Sequence, residues 1–444
     1  MSHERSPLAD AGVWKNNSGA SAEPELTGRF LVSFKRGKEA VESGAAALRK
    51  GAGISMLEHA SDEQSPAINA LARGEIDTVL LDRLGIAVVA AQPDQQAAVL
   101  TVSENESSIL RATPEKMRYA SESVEFLQGW QQGANDALER AFQQLKTESG
   151  SAREASSEQN WDESTATWGI QATGSHQTPF TGKGLRIAIL DTGIDLQHPA
   201  FTGRQLHTES FVPDQAVQDG NGHGTHCAGI ACGGWVGAPR YGVATEAEIC
   251  VGKVLGNDGR GPDLQILAGI DWALSQGCQV VSMSLGSPAR PGMPYEEEYE
   301  DAAQAAAEMG TLLIAAAGNS SRRPGQIMPV QLPASCPSIV AVAAVTPDLD
   351  VAPFSCGRGS GSDGVDLAGP GVDVLSSWPQ PPRSRKLSGT SMATPYVAGI
   401  ALLTIQAEGS NAGALRNSLT GQAQRLQKCS PADVGAGLVQ APGG

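Results

Sequence analysis

The sequence predicts an α/β protein in which a parallel sheet carries helices on both faces and is preceded by a small α+β domain. Three observations predict it. From Gly184 onward, apolar β-type runs alternate with helical segments, the pattern of parallel strands joined by crossover helices. Residues 29–112 instead read β-α-β-β-α-β, a small sheet with two helices on one face. Between the two, residues 147–165 are rich in Ser, Glu, Ala and Gly with little to bury, which marks a linker.

Residues 1–27 have no periodicity and are rich in Ser, Ala, Asn and Glu, as expected of a disordered arm. The small domain is placed at residues 28–120. Arg29–Phe34 is its first strand, Glu39–Arg49 has helical spacing, and Ile54–Leu57 follows a Gly-Ala-Gly break. Leu84–Ala91 reads as a strand, Gln95–Val102 as a helix after Pro93, and Ile109–Ala112 as a last strand. Residues 121–165 hold an extra helix and the linker. Val124, Leu127, Ala134, Leu138, Phe142 and Leu145 form one apolar stripe, weakened by Gly129 and Gly133, which reads as ordinary packing against a neighbour. In residues 166–444 the alternating series runs through Leu185–Leu190, His223–Cys232, Ile249–Leu255, Asp263–Ser275, Val280–Leu285, Tyr299–Glu308, Thr311–Ala317 and Ile339–Val345, then a long helix after Ser391. Loops at the carboxyl ends of such strands carry chemistry.

Composition narrows the function. The 444 residues carry 32 Lys and Arg against 48 Asp and Glu, a net charge of −16, which disfavours nucleic acid because that affinity comes from clustered cations. No apolar run is long enough to span a membrane, and Met1–Pro24 has no apolar core of a signal peptide. The chain is therefore expected in the cytoplasm, or outside by a non-standard route. Seven cysteines is an odd count, so complete internal pairing is impossible and mostly buried free thiols are expected.

Three stretches carry chemistry. Asp191 follows the run Leu185–Leu190 and opens Asp-Thr-Gly-Ile-Asp195, so its carboxylate lies at a strand end. His223 sits in Asp219-Gly-Asn-Gly-His-Gly-Thr-His226, flanked by glycines that allow positive φ and close approach. His223 and His226 could be an i, i+3 metal pair, but no carboxylate follows at the required spacing. Ser391, in Ser388-Gly-Thr-Ser-Met-Ala-Thr-Pro395, opens an apolar helix, where unpaired N–H groups and the helix dipole favour an oxyanion. Alone it reads equally as a cap.

The order Asp, His, Ser on an α/β pattern belongs to one triad lineage. Residues 166–440 resemble the subtilisin-like serine proteases, through Asp191-Thr-Gly-Ile-Asp-Leu-Gln-His-Pro199, His223-Gly-Thr-His-Cys-Ala-Gly229 and Gly389-Thr-Ser-Met-Ala-Thr-Pro395. The resemblance implies a serine endopeptidase acting on polypeptides through an acyl-enzyme. Ser391 would be the nucleophile, His223 the general base then acid, and Asp191 its orienting partner. Thr311–Asn319 is an apolar strand ending in Gly-Asn, and the resemblance makes Asn319 and the Ser391 N–H the oxyanion hole. In subtilisin itself, losing that side-chain donor costs about 10² to 10³ in turnover.

The resemblance also implies that substrate lies as an extended strand between Gly259-Arg260-Gly261 and Ser284-Leu285-Gly286, with a primary pocket walled by Ala316, Ala317 and Gly318 and closed near Val330–Leu332. Arg260 either favours acidic substrate residues or is a solvated side chain. No cofactor is required for the chemistry. Structural calcium is possible, but Ala200 and Phe201 stand where relatives often carry an Asp ligand, and Gly233–Tyr241 is unlike the usual calcium loop. Cys227 reads as a buried helix residue rather than a second nucleophile.

By element order and position, residues 28–120 resemble the ferredoxin-like propeptide of these proteases. The implied role is folding assistant and intramolecular inhibitor, made as a zymogen and cleaved near Pro114–Ala120 or in the linker. Two alternatives stay open: a processing protease dedicated to one peptide or partner, and a non-catalytic peptide-binding module.

Overall fold

The computed structural model describes residues 25–54, 57–59, 65–120, 160–234, 237, 239–357 and 364–443. The expected helix and residues 147–159 of the expected linker lie outside the described residues, as do residues 1–24 of the arm.

The N-terminal domain runs β1 (Leu26–Phe34), α1 (Lys38–Ala52), β2 (Leu57–His59), α2 (Ser65–Ala72), β3 (Thr78–Leu81), β4 (Ile86–Val89), α3 (Gln96–Asn105) and β5 (Ile109–Ala120). Its strands lie in the order β5-β1-β4-β3-β2. The sequence reading missed α2 and β3. Helix α2 is a two-turn element, too short for its periodicity to stand out. The run read as one strand over Leu84–Ala91 is half of a hairpin, with β3 as the other half and Asp82–Gly85 as the turn. Two short apolar runs separated by Asp-Arg-Leu-Gly are a hairpin signal.

Strand alternation divides this sheet between two cores. Phe30, Val32, Phe34, Leu80, Ala87 and Val89 pack with Leu48 of α1 and Val99 of α3. Their neighbours Leu31, Val79, Leu81, Ile86 and Val88 point the other way and belong to the large core of the C-terminal domain. The sheet is therefore buried on both faces: α1 and α3 cover one, and the short helix α2 shares the other with the C-terminal domain. At successive positions the side chains point to opposite faces.

The C-terminal domain begins with Trp161, whose ring N–H donates to Pro347 O at 2.9 Å, and with α4 (Trp168–Ala172). It continues with β6 (Arg186–Asp191), β7 (Leu206–Ser210), α5 (His223–Cys232), β8 (Glu248–Lys253), β9 (Arg260–Pro262), α6 (Asp263–Ser275), β10 (Val280–Met283), β11 (Leu285–Gly286) and α7 (Glu297–Glu308). Then come β12 (Leu312–Ala316), β13 (Val340–Val345), β14 (Leu367–Pro370), the β15 (Val374–Ser377) and β16 (Ser384–Leu387) hairpin, α8 (Thr390–Glu408), α9 (Ala412–Gln422) and α10 (Pro431–Val434). Seven strands form one sheet in the order β14-β13-β12-β10-β6-β8-β7, and every pairing is parallel. All residues of β10, β12 and β13 are buried, as expected where helices cover both faces.

Helix α8 is buried continuously from Thr390 to Thr404, so it is apolar on every side rather than along one stripe. It runs through the core and ends at Gly409, whose φ of 67° provides a left-handed cap. All seven cysteines are unpaired and six are buried, each a small apolar side chain in effect. No helix among the described residues is long and apolar enough to cross a membrane.

The two domains share strand β5. Its first part pairs with β1, and its last residues leave the N-terminal sheet to lie between β9 and β11. Both of the latter pairings are antiparallel, with Arg118 opposite Gly261 and Tyr119 opposite Gly286. The Ala120 N–H donates to Gly259 O at 2.8 Å.

Candidate active site

Strands β12, β10 and β6 are neighbours at the centre of the parallel sheet, and each delivers a polar residue at its carboxyl end. Asp191 is the last residue of β6, Ser284 follows β10, and Asn319 lies three residues beyond β12. This is where a parallel sheet places ligand-facing loops.

His223 is the first residue of α5. The imidazole Nδ1–H donates to Asp191 Oδ1 at 2.7 Å, and the same oxygen accepts the Thr192 N–H at 2.7 Å. Both side chains are buried. Burial disfavours the imidazolium, but the adjoining Asp191 carboxylate outweighs it and holds His223 well above the ordinary imidazole value. With Nδ1 occupied, Nε2 is the ring atom left for chemistry, and it has no hydrogen-bond partner among the described residues.

Two glycines make this position possible. Gly222 has φ +108°, and a Cβ there would lie 2.5 Å from the Trp378 ring. A Cβ on Gly224 would lie 2.3 Å from Gly193 O, so the helix start could not approach the loop after Asp191.

A residue the sequence reading left without a role holds this corner together. Buried Asp219 accepts from the N–H groups of Asn221, Gly222 and Thr225 at 2.9, 2.8 and 2.9 Å. It also accepts the hydroxyls of Thr192 at 3.0 Å and Thr225 at 2.6 Å. These bonds satisfy orphan donors at the start of α5. The signal was present in the sequence, since an Asp before a helix-opening segment is a capping residue. Lys253, at the end of β8, donates to Thr192 O at 2.5 Å and Asn257 Oδ1 at 2.8 Å. It ties the Asp191 loop to the segment before β9.

Ser391 is the second residue of α8. Its Oγ donates to Ser284 O at 3.4 Å, so no hydrogen bond to His223 is made in this arrangement. Four residues on, Pro395 has no N–H, which leaves the Ser391 carbonyl without its helical donor. Ser284 Oγ at 2.9 Å and the Cys227 thiol at 3.5 Å donate to it instead. A proline in the first turns of α8 thus lets two neighbouring elements grip the backbone of Ser391. Asn319 Oδ1 accepts from both the N–H and the hydroxyl of Thr390, at 2.8 and 2.9 Å. Two donors on the oxygen determine which side of the amide carries the NH₂ group.

Asp191, His223 and Cys227 also lie close enough together to be considered as metal ligands. The chemistry of the donors argues against it: Nδ1 is already bonded to Asp191, and burial pushes the Cys227 thiol up to about 11, whereas a ligand must be deprotonated. The same thiol is a poor second nucleophile. His226 makes no metal pair either. Its Nε2 bonds Arg385 O at 2.9 Å, and burial lowers its pKa to about 3. Ala200 and Phe201 are buried in a short 3₁₀ turn capped by His198, and neither side chain offers an oxygen to calcium.

Of the residues expected to bind substrate, the two segments around Arg260 and Leu285 flank one groove, and Ala316, Ala317 and Gly318 lie beside it rather than in it. Arg260–Pro262 and Leu285–Gly286 form its two walls, and the β5 residues Met117–Ala120 fill it as an antiparallel strand. Arg260 is half exposed, with its guanidinium 5.4 Å from the Tyr119 ring centre. Ala316, Ala317 and Gly318 line the adjacent end of β12. Val330–Leu332 lies between them and the groove: Gln331 N donates to Ala317 O at 2.9 Å, and Leu332 and Ser287 exchange backbone bonds of 2.9 and 3.1 Å.

Comparison with known proteins agrees in extent with the C-terminal domain. The profile of the subtilase family, peptidase S8, matches residues 182–429. Subtilisin BL of Lederbergia lenta is 40% identical over 281 residues, which cover 62% of this chain and 96% of that protein. M-protease of Shouchella clausii strain KSM-K16 is 39% identical over 281 residues, covering 62% and 68%. Subtilisin-like protease 1 of Trichophyton equinum is 35% identical over 263 residues, covering 58% and 47%.

Proposed function

The chain belongs to the subtilase family and is a serine-type endopeptidase, and we propose that its chemistry runs through Asp191, His223 and Ser391, with the N-terminal domain as its own inhibitor. The observation that carries this reading is the buried 2.7 Å bond from His223 Nδ1 to Asp191, beside a serine delivered by the start of α8. The weak 3.4 Å bond to Ser284 O leaves the Ser391 hydroxyl free to turn toward His223 Nε2.

In the proposed reaction Ser391 Oγ bonds to the substrate carbonyl carbon as His223 Nε2 takes the hydroxyl proton. General-base help of this kind is worth about 10² to 10⁴ in rate. Asp191 keeps the imidazole in the tautomer that presents Nε2 and stabilises the cation formed. Negative charge on the carbonyl oxygen is met by the Ser391 N–H and the Asn319 NH₂. The C–N bond then breaks, the proton passes from His223 to the leaving amine, and an acyl-enzyme remains. Water repeats the sequence, releasing the acid and restoring Ser391. No step requires a metal.

Strand β5 supports the zymogen reading. It fills the groove in the extended, two-sided pairing expected of a substrate, so a polypeptide cannot enter until it leaves. A substrate strand continued one residue in the β11 register would lie opposite Ser284, whose carbonyl faces Ser391. Self-cleavage is thus expected just after the end of β5, removing about 120 residues.

The test is intact-mass measurement with fluorophosphonate labelling. Wild-type protein is expected to lose its N-terminal domain and take up label at Ser391, while Ser391→Ala keeps full mass and stays unlabelled. Equal masses and absence of label in both would overturn the reading.

A further inference from the structure

The groove holds a side chain whose burial is unusual. Arg118 is only 1% exposed, and every group that meets its guanidinium belongs to the C-terminal domain. Its Nε donates to Asp263 Oδ1 at 2.5 Å, Nη1 to Ser287 Oγ at 2.7 Å and Nη2 to Glu296 Oε2 at 2.7 Å. The Tyr299 ring lies under it, 5.1 Å from Cζ to the ring centre, and the Tyr299 hydroxyl donates to Asp263 Oδ1 at 2.8 Å. The remaining carboxylate oxygens meet the residue two positions earlier: Lys116 N donates to Asp263 Oδ2 at 2.9 Å and Lys116 Nζ to Glu296 Oε1 at 2.7 Å.

These four side chains come from three separate places, the start of α6, the residue after β11 and the start of α7. Bringing two carboxylates together away from water is costly unless a cation pairs both. A docking contact alone does not need this, because well-packed apolar residues hold a buried position as firmly as an ion pair. The three donors of Arg118 point in three directions, toward three separate oxygens. That geometry matches the planar fork of a guanidinium, and the compact ammonium of lysine cannot reach all three.

We propose that Asp263, Ser287, Glu296 and Tyr299 form a specificity pocket that selects arginine as the fourth residue before the scissile bond of a polypeptide substrate. The inference rests on the endopeptidase reading above. Arg118 stands in the strand register a substrate would take, with Tyr119 and Ala120 after it and the next position opposite Ser284. When β5 leaves, the pocket retains its two carboxylates, and an arginine two residues before the one bonded to Gly259 O enters the same site. The protease would then cut after sequences of the form Arg-X-X-X, and β5 is held as an inhibitor by the same recognition.

The test pairs cleavage with binding. Full-length protein, left to mature, is given peptides identical except for Arg, Lys or Leu at the fourth position before the cleaved bond. The Arg peptide is expected to exceed the Leu peptide in kcat/KM by about tenfold or more, with Lys between them, the scale of hydrogen bonds to a charged group. Glu296→Gln is expected to shrink that ratio severalfold. Equal rates for Arg and Leu, or an undiminished ratio in Glu296→Gln, would overturn the pocket. A second arm needs no activity: in the full-length double variant Arg118→Ala, Ser391→Ala, millimolar ethylguanidinium is expected to raise Tm, and the further change Glu296→Gln to abolish the rise. Rescue by ethylguanidinium without cleavage of any peptide would leave the pocket standing and sink the endopeptidase reading, whereas no rescue would count against the pocket itself.

Discussion

The two sheets of this protein solve burial differently. In the C-terminal domain both faces of the parallel sheet are covered by helices of the same domain, so its strands need nothing from outside. In the N-terminal domain α1 and α3 cover one face, and the other, with Leu31, Val79, Leu81, Ile86 and Val88, is shared between the short helix α2, through Ala67, Ile68 and Leu71, and the C-terminal core. Around that apolar contact lies a ring of charge. Arg83 pairs with buried Asp271 at 3.1 Å, Arg111 with Glu297 at 2.6 Å, and Thr113 bonds Glu298 at 2.7 Å. Glu115, itself buried, accepts the N–H of Leu264 in the first turn of α6 at 2.8 Å, a helix cap supplied from another domain. One domain is thus self-sufficient and carries the chemistry, while the other is completed only by docking.

If that division holds, changes at the strand ends and changes on the docked face have opposite consequences. The largest effect is expected from Asn319→Ala, which should lower kcat by about 10² to 10³ with little change in KM, measured on a chromogenic peptide. Because this residue lies in the C-terminal domain's loops, the N-terminal domain should stay docked in the Ser391→Ala, Asn319→Ala chain, as read by size and protease resistance. Undocking there would break the separation of roles.

Leu81→Ala is expected to do the reverse. Removing a fully buried side chain that packs on the C-terminal core costs about 2 to 5 kcal/mol. Thermal unfolding in the Ser391→Ala background should show the N-terminal domain melting earlier, and with Ser391 intact the Leu81→Ala protein should reach full activity sooner than wild type, with kcat after maturation unchanged. A lowered kcat in the matured protein would mean that this domain contributes to the finished site.

The smallest and most graded effect is that of pH. Asp191 holds His223 well above the ordinary imidazole value, and a general base must be neutral, so kcat/KM should rise with pH through that elevated value and be low near pH 6 to 7. Stability runs the other way. A raised folded-state value means that the ion pair contributes fully below the unfolded imidazole value of about 6.5 and is lost as pH rises through the folded one. Tm of Ser391→Ala should therefore fall over the interval in which wild-type activity rises. An acidic activity optimum would contradict the assigned base.

Much of this was legible in the chain. Strand-then-helix alternation after Gly184 reports a sheet buried on both faces because such strands are apolar at every position, as Val280–Met283 and Val340–Val345 are. Asp191, His223 and Ser391 stand out because each is a polar residue close to a glycine at the border of a regular element, Asp191 after an apolar run and His223 and Ser391 at the start of a helix. The short helix Ser65–Ala72 and the hairpin arm Thr78–Leu81 did not stand out, since two turns or four residues give too little period to read. Asp219 was visible as a capping type, but its five bonds come partly from Thr192, on a distant loop.

What the sequence by itself determined is the set of elements and the three motifs, because periodicity and local turn chemistry are properties of neighbouring residues. Only the tertiary structure decided that β5 ends in the groove between β9 and β11, and that Asp263, Ser287, Glu296 and Tyr299 meet around one guanidinium. Those residues are each unremarked in their own segments. The free energy of a buried charge depends on what is packed around it, and here that packing is assembled from segments more than 100 residues apart, Arg118 being 145 positions from Asp263 and 178 from Glu296.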